Sequence, residues 1–158
     1  MSLMDLVMGL TPSLGTDPAH LADVAELLTL CGLPTAGLDD ASECLALRRD
    51  GRVIASAALE IHGKSGLLRS VAIHPDLQRQ RLGTALVTTA IVTAGTYRIR
   101  HLYLLTESAA DFFARFKFTV IDRADVDPAI QQTVEFTSAC PASATVMLLD
   151  LTRFAAKP

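Results

Sequence analysis

The chain has 158 residues, of which 50% are apolar and 20% charged, and its formal net charge is −3 at pH 7. This length predicts one domain over residues 1–158, and the apolar content excludes an intrinsically disordered chain. The slight acidic excess argues against general nucleic-acid binding through phosphate neutralisation.

The positions of the cysteines and histidines indicate the redox state of the compartment and whether the chain holds a metal ion. The three cysteines (Cys31, Cys44 and Cys140) are widely spaced, and the four histidines are scattered. Without a CxxC pair or a Cys/His cluster, the sequence predicts a reducing, cytoplasmic setting and no metal site. No apolar run reaches the ~20 residues of a membrane span, and Met1–Leu10 lacks the basic start of a signal peptide. We therefore expect no membrane partner, while the oligomeric state, a homodimer included, stays open.

The first half of the chain predicts a helix followed by an antiparallel meander. Asp5–Leu10 is apolar enough for an edge strand, and Thr16-Asp17-Pro18 is a helix-start signal with Gly32 as the stop. Leu33–Ala41 predicts a loop or a short second helix. Asp50-Gly51 is the dipeptide that a type I′ hairpin turn prefers. The three strands expected around this turn and the next are Cys44–Arg49, Val53–Ile61 and Leu67–Ile73.

The second half alternates helices and strands. Gly83–Ala94 is rich in residues that favour strands, but its length, its apolar face and the glycine that follows favour a helix. Ser108-Ala109-Ala110-Asp111 resembles a capping box and predicts a helix through Phe116. Asp127-Pro128 is expected to cap a short helix near Ile130–Phe136. The remaining segments predict strands and hence a mixed α/β (α+β) fold with helices on both faces of one sheet: Ile99–Thr106, Phe118–Asp122 and Ala144–Leu151.

The clearest chemical signal lies in Leu68–Ala85. This stretch reads LRSVAIHPDLQRQRLGTA: a strand that ends at a His-Pro pair, a short polar loop and a helix start. Unpaired backbone N–H groups at a helix start, with the positive end of its dipole, favour an anion such as a pyrophosphate. An ordinary basic helix start is the alternative that these residues leave open. The side chains that would add donors are Gln78, Arg79, Gln80 and Arg81.

Together with the later DFFARFKF (Asp111–Phe118), this stretch resembles the GNAT superfamily of N-acetyltransferases. The resemblance implies a centrally splayed sheet of about seven strands and acetyl-CoA as the co-substrate. In the family, a loop of pattern Q/R-x-x-G-x-G/A holds the pyrophosphate, and the preceding strand lies along the pantetheine arm. The loop role carries over to Gln78, Arg79, Gln80, Arg81, Leu82, Gly83 and Thr84, and the strand role to Val71, Ala72 and Ile73.

Four positions depart from the family pattern. Arg81 replaces the central loop glycine, and we expect backbone donation to survive there if the local angles are helical. Phe113 stands where the family's tyrosine acts as general acid toward the departing CoA thiolate, and Lys117 stands where its motif has glycine. Thr106 takes the place of an asparagine that commonly contacts the cofactor. The resemblance therefore implies cofactor contacts at Thr106 and Phe113 but no tyrosine acid.

A narrower likeness extends over most of Gly66–Leu149. The segments GLLRSVAI, LYLLTESAADFFARFKF and EFTSACPASATVM together resemble the arsenic-resistance (ArsN-type) group of N-acetyltransferases. The segment Cys140–Ala144 (CPASA) is the part that the fold alone explains least. This likeness implies little about the acceptor.

Two residues are candidates for catalysis. Glu60, at the end of an apolar strand, would take a proton from an acceptor amine, and a solvent-facing charge is its alternative reading. Ser70 would orient the substrate or donate to the thiolate, and a cross-strand polar contact is its alternative. Arg69 is expected to be a strand-surface arginine, with contact to an acceptor carboxylate as the other reading. Cys140 is expected to be structural and not a nucleophile.

These observations predict an N-acetyltransferase that moves an acetyl group from acetyl-CoA to a primary amine of a small molecule by direct attack in a ternary complex. A backbone N–H near Val71 would stabilise the oxyanion. One alternative is a degenerate GNAT domain that acts as an acyl-CoA sensor or interaction module. Another is a domain whose basic loop holds a different phosphorylated ligand. We expect the segment Asp127–Ser143 to cover the acceptor pocket.

Overall fold

A computed structural model describes residues 10–78 and 81–154 of the chain. Apart from Leu10, the strand predicted over Asp5–Leu10 lies outside these residues, and the first strand within them starts at Thr11. The described elements include seven strands and four α-helices. The strands are β1 (Thr11–Leu14), β2 (Glu43–Arg49), β3 (Arg52–His62), β4 (Ser65–Ile73), β5 (His101–Thr106), β6 (Thr119–Val120) and β7 (Thr145–Asp150). The helices are α1 (Pro18–Leu30), α2 (Leu82–Thr96), α3 (Ala110–Ala114) and α4 (Pro128–Gln131).

Local signals account for the first elements. The carboxylate of Asp17 accepts a 3.2 Å hydrogen bond from the His20 N–H, and Pro18 occupies the first turn of α1. Asp50 and Gly51 both adopt positive φ (53° and 80°), as a type I′ turn requires between β2 and β3. The predicted helix start and hairpin are thus confirmed.

The strands form one mixed sheet in the order β1-β2-β3-β4-β5-β7-β6. Helices α2 and α3 cover one face, with an apolar cluster that includes Leu68, Leu86 and Phe113. On the other face, α1 covers a cluster around Val24 and Cys44, and α4 with the segment after it covers a cluster around Leu67, Tyr103 and Ile130. The predicted fold, a sheet of seven strands with helices on both faces, is confirmed.

The sheet splays apart between its two central strands. Within the described residues, β4 and β5 pair in parallel only over Ser65–Leu67 and His101–Tyr103, although both strands run further. Beyond that point the facing edges of β4 and β5 separate. A gap therefore opens at the carboxyl ends of the two strands, where α2 begins nearby.

Several predicted boundaries need correction in the later part of the chain. The prediction of a capping box at Ser108 is wrong: Ala109 is the N-cap residue of α3, no side chain caps the helix, and the Ala109 N–H donates to the Thr106 hydroxyl at 2.9 Å. Helix α3 ends at Ala114 rather than at Phe116, and the strand predicted over Phe118–Asp122 shortens to β6. The helix after Asp127 ends at Gln131, and a π-helical turn, Glu135–Ala139, follows.

Candidate active site

The gap between β4 and β5 continues into a cleft of about 890 Å³. The cleft is lined by residues 31–34 after α1, the end of β4, the start of α2, the end of β5 and helix α3. Most residues proposed from the sequence meet there. Those on its lining are Ser70, Val71, Ala72, Ile73, Gln78, Arg81, Gly83, Thr84, Thr106 and Phe113.

Ser70 produces a β-bulge at the point where the sheet splays. The pairing of β3 with β4 shifts register between Ser56 and Ala58, and Ser70 adopts the left-handed region (φ 58°). The Ser56 hydroxyl donates a 2.8 Å hydrogen bond to the Ser70 carbonyl. The bulge redirects the backbone next to Val71, which lines the cleft. Ser70 therefore shapes the main chain here as well as presenting a hydroxyl.

The loop before α2 differs from the sequence expectation at Arg81. Its backbone is left-handed (φ 60°, ψ 15°), so the helical angles on which the expected backbone donation depended are not present there. Lys117, the second residue that replaces a family glycine, also has a positive φ (76°). The chain has thus kept a glycine-type backbone at both positions with long cationic side chains.

Gly83 lies in the first turn of α2, where it packs closely against Phe112. A Cβ atom at this position would lie 3.2 Å from the Cζ atom of Phe112. The first N–H groups of an α-helix have no acceptor within the helix, and those of α2 lie beside the cleft. The residues present therefore fit an anionic group at this end of the cleft.

Other loop positions have different roles from those expected. The side-chain amide of Gln78 donates to the Ile73 carbonyl at 3.2 Å, and the Cys31 thiol donates to the same oxygen at 3.4 Å. Leu82 points its side chain into the core and is not on the cleft lining, so the loop role expected of it would fall to its main chain. Arg79 and Gln80 lie outside the described residues.

Aromatic packing fixes Phe113 at the wall of the cleft. Its ring packs edge-to-face against Phe112 and Phe118, at centroid distances of 5.2 Å and 5.9 Å. The residue is buried and belongs to the core cluster under α2. Phe113 therefore contributes both to the core and to the lining of the cleft.

A buried ionic cluster lies behind the bulge, centred on Arg69. Arg69 is only 2% exposed, so the expectation of a strand-surface arginine is wrong. Its guanidinium donates to Glu60 Oε2 at 3.0 Å, to the Ala36 carbonyl at 2.7 Å and to the Ser70 hydroxyl at 3.2 Å. The approach of Ala36 depends on Gly37 (φ 77°), because a Cβ there would lie 2.8 Å from the side chain of Val134.

Glu60 belongs to this cluster and not to the cleft lining. It is 1% exposed, which rules out the solvent-facing reading. One carboxylate oxygen accepts from Arg69, and the other lies 3.1 Å from Nε2 of His62. The structure therefore places Glu60 as the counter-ion of Arg69, one layer behind the cleft surface.

Sequence reasoning missed Glu135, the other acidic member of the cluster. Glu135 is 5% exposed, lines the cleft, and has its Oε1 atom 3.8 Å from a terminal nitrogen of Arg69. Burial raises the pKa of its carboxyl, Glu60 adds to the increase, and Arg69 and a hydrogen bond from the Cys140 thiol oppose it. A glutamate between the apolar residues Val134 and Phe136 was the available signal in the sequence.

Cys140 lies beside Glu135 because of the π-helical turn. The Cys140 N–H donates to the Glu135 carbonyl at 3.1 Å, which closes a five-residue repeat and brings both side chains to the cleft. Burial, the charge of Glu135 and the hydrogen bond to it raise the pKa of the Cys140 thiol to about 12. The thiol is therefore protonated at neutral pH, which supports the expectation that it is not a nucleophile.

Within residues 10–78 and 81–154, no group of three or more His, Cys, Asp or Glu side chains is arranged to hold a metal ion. The helices within these ranges are too short or too polar to cross a bilayer.

Solved structures with the same fold come from several bacteria. An acetyltransferase from Streptococcus agalactiae superposes with a TM-score of 0.71 at 19% identity, over 91% of this chain and 99% of its own. A Mycobacterium tuberculosis protein solved with CoA gives 0.66 at 19% identity, over 88% and 99%. N-acetylglutamate synthase from Neisseria gonorrhoeae, solved with CoA and L-arginine, gives 0.69 at 15% identity over 89% of this chain.

The present chain spans about a third of the Neisseria gonorrhoeae enzyme, 33% of its length. At these identities the structures establish the fold alone. No curated protein matches the chain by sequence. A family model for the acetyltransferase (GNAT) domain matches residues 40–120, just over half of the chain, from the end of the loop before β2 through β6. The chain therefore belongs to the GNAT acetyltransferase family.

Proposed function

We propose that this protein transfers the acetyl group of acetyl-CoA to a primary amine of a small molecule. The observation that carries the proposal is the cleft between the splayed strands β4 and β5, which joins the Ser70 bulge to the start of α2. One end offers backbone donors and Arg81 for a pyrophosphate, and the other offers a buried carboxyl. The CoA present in similar structures from Neisseria gonorrhoeae and Mycobacterium tuberculosis is consistent with this use of the cleft.

The proposed reaction is a direct transfer in a ternary complex. The main chain of Val71, Ala72 and Ile73, beyond the last β4–β5 pair, is available to bind an extended acyl-CoA arm in the gap. A neutral amine attacks the thioester carbonyl, the C–N bond forms and the C–S bond breaks. A backbone N–H near Val71 stabilises the oxyanion because the bulge turns the main chain toward the cleft.

The CoA thiolate leaves without a tyrosine acid. Phe113 has no hydroxyl, so solvent or the Ser70 hydroxyl supplies the proton. The Ser70 hydroxyl already accepts from Arg69 Nε at 3.2 Å, which leaves its own proton free to be donated. A thiolate is a good leaving group, so turnover does not require a dedicated acid.

Two measurements test the proposal. Calorimetry should show CoA binding to the wild-type protein, and Arg81→Glu should weaken it by about 1–3 kcal/mol, the range of a hydrogen bond to a charged group. Arg52→Glu, at an exposed position on β3, is the matched control and should leave the affinity unchanged. The second measurement is the release of free thiol from acetyl-CoA with a panel of amines, and we expect at least one amine to give it. Absence of CoA binding would refute the proposal.

An acyl-CoA sensor is the second candidate. Phe113 favours it, because the position lacks the hydroxyl that the family's enzymes use for proton transfer. A sensor would bind CoA in the calorimeter but release no thiol with any amine. A cleft for another phosphorylated ligand would bind neither CoA nor acetyl-CoA.

The choice of acceptor rests on the sequence likeness to the arsenic-resistance group of N-acetyltransferases. We propose that the acceptor is a small amine, and amino-acid-like arsenicals belong in the first panel for that reason. A cytoplasmic location is also a proposal, supported by the three free cysteines, Cys31, Cys44 and Cys140.

A further inference from the structure

The acceptor end of the cleft contains a buried carboxyl with no structural explanation comparable to that of Glu60. Glu60 balances Arg69 through a 3.0 Å hydrogen bond, which already neutralises the guanidinium. Glu135 lies further from the same guanidinium, at 3.8 Å, so it is a second negative charge on one buried cation. A buried and incompletely paired carboxylate destabilises a fold, and such groups are concentrated at functional sites.

The backbone around Glu135 holds its carboxyl at the cleft. The π-helical turn inserts an extra residue, and the thiol of Cys140 hydrogen-bonds to the carboxyl from the same side of the cleft. Phe136, the next residue, is buried in the cluster under the sheet, and the Arg123 guanidinium stacks 5.2 Å above its ring. The side chain is therefore fixed on a rigid support, as a catalytic group needs.

The carboxyl is also close to the reacting centre that the bulge defines. One guanidinium, that of Arg69, contacts both the Ser70 hydroxyl at 3.2 Å and the Glu135 carboxylate at 3.8 Å. Ser70 precedes Val71, whose N–H we placed at the oxyanion. Val71 and Glu135 both line the cleft, so an amine that attacks a carbonyl held at this N–H can be bound in the same cleft as the Glu135 carboxylate.

Resting on the proposed function, we infer that Glu135 is the general base for the acceptor and that the acceptor is bound as an amine facing this carboxylate. The nitrogen attacks the acetyl carbon, its proton passes to Glu135, and the CoA sulfur leaves with the electrons of the broken C–S bond. The protonated Glu135 then releases its proton to water in the cleft. Arg69 and Glu60 act behind it as positioning residues.

The charged and titratable groups facing Glu135 determine its pH behaviour. They are Arg69 from β4, Glu60 from β3 and Cys140 after the turn, while Glu107, after β5, acts on Cys140. Burial raises the pKa of Glu135, so the carboxyl is poised closer to neutral pH than an exposed glutamate. Activity should therefore fall as the pH decreases through the pKa of Glu135, because the base becomes protonated.

The test is Glu135→Gln, assayed by thiol release with acetyl-CoA and an amine that the wild type accepts. We expect kcat to fall by about 10²–10⁴-fold with CoA affinity unchanged. Glu26→Gln, an exposed glutamate on α1 far from the cleft, is the matched control and should behave as wild type. A second assay uses a weakly basic arylamine, which is uncharged throughout the pH range. Any decrease of kcat/KM toward low pH (the acid limb of the pH profile) then comes from protonation of the enzyme.

The outcomes distinguish failure of the role of Glu135 from failure of the proposed acetyl transfer. Wild type should show the acid limb with the arylamine, and Glu135→Gln should lack it. If Glu135→Gln fails to fold, Glu135→Asp should lower kcat and keep the limb. An active wild type without an acid limb, or Glu135→Gln with wild-type kcat, would overturn the role of Glu135 alone. A wild type that releases no thiol with any amine would overturn the proposed function, and this inference with it.

Discussion

The hydroxyl of Ser56 on β3 donates a 2.8 Å hydrogen bond to the main-chain carbonyl of Ser70 on β4, whose φ is 58°. Ser56 is completely buried, so the bond is shielded from water. A left-handed serine costs about 1–2 kcal/mol relative to ordinary backbone, and it persists only where its surroundings hold it. The Ser56 hydroxyl is the group that holds the bulge next to Val71.

Ser56→Ala should therefore destabilise the protein and reduce turnover together. The change leaves the Ser70 carbonyl without its donor, and we expect the free energy of unfolding to fall by about 1–3 kcal/mol. Urea denaturation measures the stability, and thiol release measures the turnover. Ser138→Ala removes an exposed hydroxyl bonded to its own turn and should change stability by less than about 0.5 kcal/mol. Unchanged turnover in Ser56→Ala would show that the bulge does not depend on this bond.

Lys117→Gly should stabilise the fold. Lys117 adopts a φ of 76°, which a side chain disfavours by about 1–2 kcal/mol, and the extra freedom of glycine in the unfolded chain offsets part of that gain. We expect a net increase of about 0.5–1 kcal/mol in the free energy of unfolding. Arg52→Gly, in the extended backbone of β3, should instead lower it. A decrease in Lys117→Gly would mean that the lysine side chain makes a contact that outweighs the strain.

Phe113→Tyr should retain the fold and either leave turnover unchanged or raise it. The position lines the cleft, so a hydroxyl there would face the site where the thiolate leaves. A positioned general acid contributes about 10²–10⁴-fold only where proton transfer limits the rate. Phe116→Tyr, on the same segment but off the cleft lining, is the control. A large loss of turnover with intact CoA binding would mean that the added hydroxyl displaces substrate.

Cys140→Ala should keep most of the turnover. The thiol is protonated at neutral pH because its pKa is about 12, so it does not form an acetyl-enzyme. Mass spectrometry of wild type mixed with acetyl-CoA should find no acetylated Cys140. Loss of the thiol also removes a donor to Glu135, so the acid limb of kcat/KM should move to higher pH. An acetylated cysteine together with an inactive Cys140→Ala protein would favour a ping-pong reaction.

The raised pKa of the Cys140 thiol also predicts how the stability of the fold changes at alkaline pH. The folded thiol stays protonated up to about 12, whereas an unfolded one ionises near 9. The unfolded state therefore binds fewer protons in this window, so the contribution of Cys140 is fully present below about 9 and is lost as pH rises toward 12. Denaturation curves across this range should fall less steeply for Cys140→Ala than for wild type. Equal slopes would contradict the burial of the thiol.

The sequence by itself determined the order of elements and the strand–loop–helix segment that we propose holds the cofactor. The Asp17 cap, the Asp50-Gly51 turn and the strand–loop–helix pattern before Gly83 are local signals, because each depends on residues a few positions apart. The family resemblance rested on such contiguous motifs, and the match over residues 40–120 confirms the family.

Only the tertiary structure decided which side chains meet around Arg69, at the end of the cleft proposed for the acceptor. Arg69 is a strand residue like any other in the sequence, and its burial depends on Glu60, Ala36 and Glu135 converging from three other segments. The placement of β7 between β5 and β6 likewise depends on long-range pairing, and no local signal indicated the left-handed backbone of Arg81. A π-helical turn has no local signature comparable to a cap or a hairpin turn, so Glu135 could be placed at the cleft only once the chain was folded.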